Sequence, residues 1–385
     1  MPSKEWSEDK KWNPFNSHKL MSQVYRWRLI ERGDPVPQPA LITVDPSNIC
    51  NLGCVWCNAA YTMGKSHEII SRDNLMKLAD FLPEWQGSQK WEKGVEAVCI
   101  AGGGEPLANK HTGEFIDRLV ENGIEVGVVT NGVFVDKFLE PLSKCVWVGV
   151  SVDAGRPETL AKVKKKDVFD QVITNIKKLT QYSSEYKTKL SEPAQGNGVS
   201  YKYLLYPDNV DEVYEAVKIA KESGCKNFHL RPAGLPWNDI GDKDPVSFDF
   251  PQIDSFNNQI EKARSLEDEN FGVFGITHKF GDRLEASNKF SVCHAIFMTC
   301  VFTPSPSNPD GFNLEVCCDR RGDSNMLLGK GLTSFEDVKN LWGSDNHWKI
   351  FDNVIVDKCP RCTYQPHNQI FEHAIQIDNM TYKFI

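Results

Sequence analysis

The chain has 385 residues, of which 40% are hydrophobic, 11% aromatic and 25% charged, a composition typical of a folded globular protein. Its formal net charge of −8 argues against binding to a nucleic-acid backbone. No apolar run of about 18 residues is available to span a bilayer. The N-terminal stretch is polar and lacks the apolar core of an export signal, so we expect a cytoplasmic protein without a membrane partner.

Short apolar runs alternate with amphipathic stretches over much of the chain. Before the first run, apolar residues at helical spacing around Leu20, Val24 and Trp27 predict a helical extension that packs across one end of the fold. Six apolar runs predict strands at residues 40–44, 97–100, 125–130, 146–152, 199–205 and 227–231. Helical patterns lie between them, with start or stop signals at Ser71, Gly123 and Gly224. Six rounds of strand and helix predict a parallel α/β sheet that forms an open barrel, with ligands at the carboxyl ends of the strands.

The alternation stops after about residue 240, in a stretch rich in Pro, Asp and Gly. A second cysteine-bearing region begins at Ser291. A chain of this length exceeds one hydrophobic core, so we expect a large domain with a smaller one appended. The predicted parts are a helical extension (1–39), a partial barrel (40–240), a connecting segment (241–290) and a small cysteine-rich domain (291–385).

Twelve cysteines in a chain without an export signal favour metal binding over disulfides. Cys50, Cys54 and Cys57 follow the first predicted strand, where one loop could wrap one inorganic centre. A structural zinc site is normally closed by four ligands, and the nearest histidine, His67, lies outside this loop. Three thiolates on a 4Fe-4S cube leave one iron open to an outside ligand. The spacing therefore favours an iron–sulfur cluster over zinc.

The stretch CNLGCVWC at 50–57 has the pattern C-x-x-x-C-x-aromatic-C, with Trp56 at the aromatic place. In this it resembles the radical S-adenosylmethionine (radical SAM) enzymes. The resemblance implies a partial (β/α)6 TIM-like barrel, in agreement with the six rounds, and S-adenosylmethionine (AdoMet) bound to the open iron. An electron from the cluster, supplied by a flavodoxin- or ferredoxin-type donor, would cleave AdoMet to methionine and a 5′-deoxyadenosyl radical. That radical would abstract hydrogen from a substrate.

A glycine run after the second strand carries the next part of the resemblance. The stretch AGGGEPL at 101–107 is similar to the family motif whose backbone holds the amino group of AdoMet. Main chain without a Cβ can approach a ligand closely. The resemblance assigns Gly103, Gly104, Glu105 and Pro106, together with Trp56, to cofactor binding.

The fourth strand resembles the family's ribose-binding stretch. Ser151 and Asp153 lie two apart on a predicted strand, so we expect both side chains to face ribose hydroxyls; a helix cap and a turn residue are the alternative. The family often places an arginine soon afterwards, where this chain has lysines at 164–166. Lys202 and Arg231, on the fifth and sixth strands, are the other possible partners of the AdoMet carboxylate.

The C-terminal cysteines follow a hairpin pattern with a Pro-Asp-Gly turn, a helical stretch and a C-x-x-C pair. This arrangement is similar to the shortened SPASM, or twitch, domain, a β-hairpin plus helix. The resemblance implies an auxiliary 4Fe-4S cluster held by Cys293, Cys317, Cys359 and Cys362. Cys300 in place of Cys293, Cys318 in place of Cys317, and zinc on the same thiolates stay open.

The remaining cysteines, Cys99, Cys145 and Cys225, are expected to be small buried residues, with hydrogen-atom donation to a substrate radical as the alternative.

Three functions are compatible with these motifs. The first is hydrogen abstraction from a polar small molecule of the sugar, aminocyclitol or nucleotide type, giving oxidation, epimerisation, dehydration or cyclisation. Trp237, His278 and His229 are possible pocket residues. The second is peptide modification with a separate recognition partner, which the short segment before the barrel makes less favoured. The third is a non-catalytic iron–sulfur or zinc protein.

Overall fold

The computed structural model describes residues 17–31, 35–57, 67–85, 94–188, 198–233, 250–275, 290–359 and 362–376. Within these residues the fold is α/β, as predicted, and centres on a ten-stranded sheet. The strands are β1 (Leu41–Val44), β2 (Ala97–Ile100), β3 (Glu125–Thr130), β4 (Trp147–Ser151), β5 (Gly198–Leu205), β6 (Asn227–Pro232), β7 (Gly272–Gly275), β8 (Val301–Pro304), β9 (Phe312–Glu315) and β10 (Leu327–Leu332).

Helices connect the strands. They are α1 (Val24–Glu31), α2 (Arg72–Glu84), α3 (Thr112–Glu121), α4 (Leu139–Lys144), α5 (Pro157–Lys164), α6 (Phe169–Thr188), α7 (Val213–Glu222), α8 (Phe250–Arg264), α9 (Phe335–Leu341), α10 (Asp345–Asn353) and α11 (Gln365–Ile370). Two boundary signals act as the sequence predicts. The Ser71 hydroxyl accepts from the Asn74 amide at 3.3 Å to cap α2, and Gly123, with φ +75°, follows α3.

Strands β1 to β7 are parallel neighbours in chain order, one more than the six predicted. The seventh strand and α8 lie in the predicted connecting segment. The residues GVFG give β7 too short an apolar run to signal a strand, yet each of them is buried against β6. That segment therefore adds another helix and strand to the sheet.

The cysteine-rich region continues the same sheet. Strand β8 pairs with β1 in parallel, and β8, β9 and β10 form an antiparallel meander beyond it. The hairpin was predicted, but its pairing with β1 was not. The division into four parts remains a prediction.

The two faces of the sheet differ. Val44, Val98 and Val128 are buried in the hydrophobic core. The opposite face, which we call the inner face, carries Thr43, Cys99, Gly127 and Trp147 in register. A Cβ on Gly127 would lie 2.3 Å from the Trp147 ring. Small residues therefore give larger inner-face side chains room to lie across the strands.

Helix α1 packs at the amino end of the sheet. Trp27 and Ile30 are buried in the core, and the Arg26 guanidinium donates to the Gln38 carbonyl at 3.2 Å and to the Glu96 carboxylate, just before β2, at 2.7 Å. The opposite end is thereby left to the loops that follow the carboxyl ends of the strands. In the described residues, no helix has the length and apolar character needed to cross a bilayer.

Candidate functional site

The loop with Cys50, Cys54 and Cys57, the cluster loop, leaves the carboxyl end of β1. All three thiols are half-buried. The backbone of the loop is held on two sides: the Glu105 amide donates to the Ile49 carbonyl at 2.8 Å, and the Gly53 amide donates to the Lys164 carbonyl at 3.0 Å. The structure thus places the loop between the glycine run and the end of α5.

The glycine run packs directly on the chain that leads into the cluster loop. The Gly104 amide donates to the Ser47 carbonyl at 3.0 Å, and a Cβ on Gly104 would lie 2.3 Å from the Ile49 carbonyl oxygen. The Gly103 amide donates to the Asp45 carboxylate at 3.0 Å. Only glycine permits this approach at Gly104, so the run can present backbone beside the cluster loop.

Glu105 is buried, and its carboxylate accepts hydrogen bonds from groups of the protein itself. It accepts from the Thr130 hydroxyl at 2.6 Å, the Asn131 amide at 2.7 Å and the Leu107 amide at 3.1 Å. Burial raises the pKa of Glu105, while these donors lower it. The carboxylate therefore ties the glycine run to the end of β3, and Pro106 begins the short helical turn that follows.

The expectation that Ser151 and Asp153 share a strand face is wrong. Strand β4 ends at Ser151, and Asp153 lies beyond it with φ +62°, so strand alternation no longer applies. The Asp153 carboxylate accepts from the Lys164 ammonium and from the Leu204 amide at 2.6 Å. Asp153 thus joins α5 to β5, while half-buried Ser151 stays in register with Lys202.

Lys164 is the buried lysine of the 164–166 run, and its ammonium faces the cluster loop. It is the last residue of α5, its side chain is buried, and its ammonium lies 5.7 Å from the centre of the Trp56 ring. Burial lowers the pKa of Lys164, but Asp153 and Cys54 outweigh burial and raise it. Burial raises the pKa of Cys54, and Lys164 opposes that shift. A cation is therefore fixed beside the thiols.

Trp56 is buried and packs against Tyr206 with the two rings tilted, 5.2 Å between their centres. It forms a small cluster with Val163 and Ala233, partly covered by Cys54 and Leu204. The aromatic place of the motif therefore anchors the cluster loop to α5 and to the ends of β5 and β6.

Lys202 and Arg231 lie apart from the loop, on β5 and β6. Lys202 stretches across Gly149, where a Cβ would meet its Cε at 2.3 Å, and its ammonium lies 5.1 Å from the Trp147 ring centre. Burial and then repulsion from Arg231 lower the pKa of Lys202 to about 8. His229 pairs with Lys202 in register, whereas Trp237 and His278 lie outside the described residues.

A second site is formed by the C-terminal cysteines. A cavity with about 480 Å³ of empty space, including its open mouth, is lined by Cys293, Cys317, Cys359 and Cys362, with Asp319, Arg320, Tyr364 and apolar side chains around them. The Arg320 guanidinium lies 4.0 Å from the Cys359 sulfur, and the Asn368 amide nitrogen 3.9 Å from the Cys293 sulfur. Four thiols around one space, with donors at two of them, fit a 4Fe-4S cluster.

The two alternative cysteines lie elsewhere. Cys300 is fully buried in the hydrophobic core next to β8. Cys318 hydrogen-bonds with Tyr364, and its carbonyl accepts from Arg321. Of the other thiols, Cys145 and Cys225 are buried as expected, but Cys99 is half-buried, on the inner face. The geometry favours Cys293 over Cys300 and Cys317 over Cys318, and the ligand set remains a proposal.

Sequence reasoning missed several residues that hold these sites. Arg320 and Arg321 follow the cysteine pair after Asp319 in CCDRR, a charged run that would have marked a turn beside a cluster. Asp45 ends the first strand run, where an acidic residue signals a ligand or an ion pair. Asn368 offers no local signal, because its contact with Cys293 spans 75 residues.

Comparisons with known proteins agree with this geometry. Residues 44–191 match the model of the family described as the Radical SAM superfamily. The GTP 3′,8-cyclase of Aliarcobacter butzleri strain RM4018 is 24% identical over 271 residues, 67% of this chain and 76% of the relative. That of Helicobacter pylori strain HPAG1 is 25% identical over 270 residues, 66% of this chain and 80% of the relative.

Solved structures show the same fold. Streptococcus suis SuiB gives a TM-score of 0.60 at 14% identity, covering 95% of this chain and 82% of that one. Native anSMEcpe with bound AdoMet gives a TM-score of 0.54 at 17% identity, covering 86% of this chain and 89% of that one. Residues 44–191 therefore form a radical SAM domain, and the protein is an enzyme. Its cofactors are AdoMet and a 4Fe-4S cluster.

Proposed function

We propose that this enzyme cleaves AdoMet reductively and abstracts hydrogen from an anionic, polar small molecule held at the inner face of the sheet. Lys202 carries the proposal, since its ammonium lies on that face beside the Arg231 charge. Two like charges on neighbouring strands repel each other, and an anion between them would relieve that repulsion. The relatives named GTP 3′,8-cyclase support a substrate of the nucleotide type.

The cluster loop would hold the 4Fe-4S cluster through Cys50, Cys54 and Cys57, leaving one iron for AdoMet. When bound, the cluster and AdoMet supply a one-electron cleavage that yields a hydrogen-abstracting radical. Gly103 and Gly104 present backbone for the cofactor's amino group, and Pro106 and Glu105 fix that backbone. Trp56 holds the loop against α5, and Ser151 is placed for a ribose hydroxyl.

The AdoMet carboxylate would need a cation beside the cluster loop, because AdoMet would bind at the open iron. Lys164 interacts with Cys54 and Cys50, whereas Lys202 interacts with Arg231, Cys99 and Asp153. We therefore assign Lys164 to the cofactor side of the site, with Asp153 orienting it. Lys202, with Arg231 on the neighbouring strand, would then face the substrate.

The C-terminal cavity would hold an auxiliary 4Fe-4S cluster on its four thiolates, which takes up or relays an electron during the reaction. A flavodoxin- or ferredoxin-type protein would be the external electron donor. The outcome for the substrate, whether oxidation, epimerisation, dehydration or cyclisation, follows from what happens after hydrogen abstraction.

Deuterium transfer tests this function. Anaerobically reconstituted, reduced protein is incubated with AdoMet and deuterated candidates: nucleotides such as GTP, sugar phosphates, uncharged sugars and a cysteine-containing peptide. We expect deuterium in 5′-deoxyadenosine only with an anionic small molecule. Transfer from the peptide or from uncharged sugars alone would contradict the proposal, and SuiB, whose structure was solved with a precursor peptide, makes the peptide arm necessary.

The charge of Lys202 predicts a pH dependence. With its pKa lowered to about 8, Lys202 is cationic below pH 8 and loses its charge above it. The KM for the substrate identified by deuterium transfer should rise about tenfold per pH unit above 8. Lys202→Met should raise KM about tenfold to a hundredfold at pH 7 and flatten this rise.

In Lys202→Arg the side chain stays cationic across this pH range, so the KM should no longer rise above pH 8. That KM should be lower than the KM of Lys202→Met, because the positive charge is kept. Lys218→Met, which removes an exposed lysine of α7 paired with Glu222, is the matched control and should keep the wild-type profile. A rise in KM above pH 8 that persists in Lys202→Met would exclude Lys202 as the titrating group.

A further inference from the structure

A buried ion pair connects the two cysteine-bearing regions. Arg321, in the turn after β9, reaches Asp45 at the end of β1, with Nε to Oδ2 at 2.5 Å and Nη2 to Oδ1 at 3.1 Å. Asp45 is fully buried, and the Arg321 side chain is 18% exposed. The remaining guanidinium nitrogen donates to the Cys318 carbonyl. We call this contact the Arg321 bridge.

One end of the Arg321 bridge lies on the glycine run. The Asp45 oxygen that accepts from Arg321 Nε also accepts from the Gly103 amide. That amide belongs to the stretch assigned to the amino group of AdoMet. A bidentate guanidinium fixes the plane of the carboxylate, and the carboxylate in turn fixes the direction of the Gly103 amide. Arg321 therefore sets a piece of backbone that it does not itself touch.

The other end lies on the turn that carries the auxiliary thiols. Cys317 lines the C-terminal cavity, and Arg321 follows it within the same turn. This turn is closed by the Gly322 amide, which donates to Glu315 at 2.7 Å, and by the Asp323 amide, which donates to the Arg320 carbonyl at 3.1 Å. Fixing the Cys317 sulfur in a cluster would restrict the turn that presents Arg321.

We propose that Arg321 is a positioning residue that couples occupancy of the C-terminal cysteine cavity to AdoMet binding. A filled cavity orders the turn, the turn orders Arg321, and Asp45 then fixes the peptide plane between Gly102 and Gly103, whose carbonyl can accept from the AdoMet amino group. Without Arg321, Asp45 is a buried carboxylate with no compensating charge. By linkage, AdoMet and the auxiliary cluster favour each other's binding by the same factor.

AdoMet binding measured without substrate tests this proposal. Equilibrium binding of radiolabelled AdoMet is compared in reconstituted wild type, Arg321→Met, Cys362→Ser and the double variant. We expect about tenfold weaker binding in Arg321→Met and in Cys362→Ser, with no further loss in the double variant. The KM for AdoMet in uncoupled cleavage should rise by a similar factor, while kcat changes less than about twofold.

Two further variants separate positioning from general damage. Arg321→Lys keeps the charge without the fork and should restore part of the affinity. Arg118→Met removes an exposed arginine paired with Asp80 and should bind AdoMet like wild type. If Arg321→Met fails to take up iron, Asp45→Asn is measured in its place. The side-chain carbonyl oxygen of the new asparagine can still accept from the Gly103 amide, but without the negative charge it binds Arg321 more weakly.

Unchanged AdoMet affinity in Arg321→Met, or in Asp45→Asn where that variant replaces it, would overturn the proposal. Equal weakening in the wild-type and Cys362→Ser backgrounds would also overturn it, because the bridge would then act independently of the cavity. The coupling rests on the proposed auxiliary ligands and not on the substrate. A failed deuterium-transfer screen therefore leaves this result unaffected.

Discussion

Cys54→Ala should abolish AdoMet cleavage while leaving the fold intact. Two thiolates cannot hold a cube that needs one for each of three irons, so the open-iron cluster should be lost or unstable. We expect 5′-deoxyadenosine formation to fall by roughly a thousandfold or more, a rise of about 4 kcal/mol in the barrier. Iron per chain should fall from about eight to about four, because the C-terminal cavity keeps its own ligands.

Cys145→Ala is the matched control for this variant. Cys145 is a buried thiol at the end of α4, where it packs in the hydrophobic core. The substitution removes the same atoms and should leave iron content and cleavage at wild-type values, at the cost of some stability. Cleavage that survives in Cys54→Ala, or that is lost equally in Cys145→Ala, would contradict the assignment of the cluster loop.

Sequence patterns predicted much of this fold because the signals for it are local. Apolar runs flanked by caps and glycines place β1 to β6, and the spacing of the cysteines, like the glycine run, is visible within a few residues. Strand β7 was missed because four residues carry too little pattern. The pairing of β8 with β1 was missed because it depends on packing between distant parts of the chain.

The site shows the same division between local and distant signals. The lysine run at 164–166 was noticed, but only the structure shows that Lys164 turns inward to Asp153 and Cys54 while Lys165, with φ +59°, ends α5 exposed. Asp153 was misplaced because β4 ends at Ser151, two residues before Asp153. The Arg321 bridge joins residues 276 apart, so no local pattern could predict it.

Cys362→Ser should remove the auxiliary cluster selectively. Cys362 lines the C-terminal cavity, and the cysteines of the cluster loop do not. A serine hydroxyl is a much poorer iron ligand than a thiolate. We expect about four fewer irons per chain, with AdoMet cleavage still detectable and product formation from the identified substrate reduced about a hundredfold or more. Iron analysis and the electron paramagnetic resonance signal of the reduced protein measure the two clusters separately.

Cys318→Ser and Cys300→Ser decide between the alternative ligands, because each changes a thiol outside the cavity by the same single atom. Burial raises the pKa of Cys318 to about 12, and the Tyr364 hydroxyl bonds with its sulfur, so a hydroxyl at Cys318 retains a partner. Both variants should keep about eight irons, whereas Cys293→Ser and Cys317→Ser should lose about four. If Cys317→Ser keeps all the iron and Cys318→Ser loses about four irons, Cys318 is the ligand and Cys317 is not. If the wild-type cavity holds zinc in place of iron and sulfide, the four thiols form a structural metal site instead, because zinc is not redox-active.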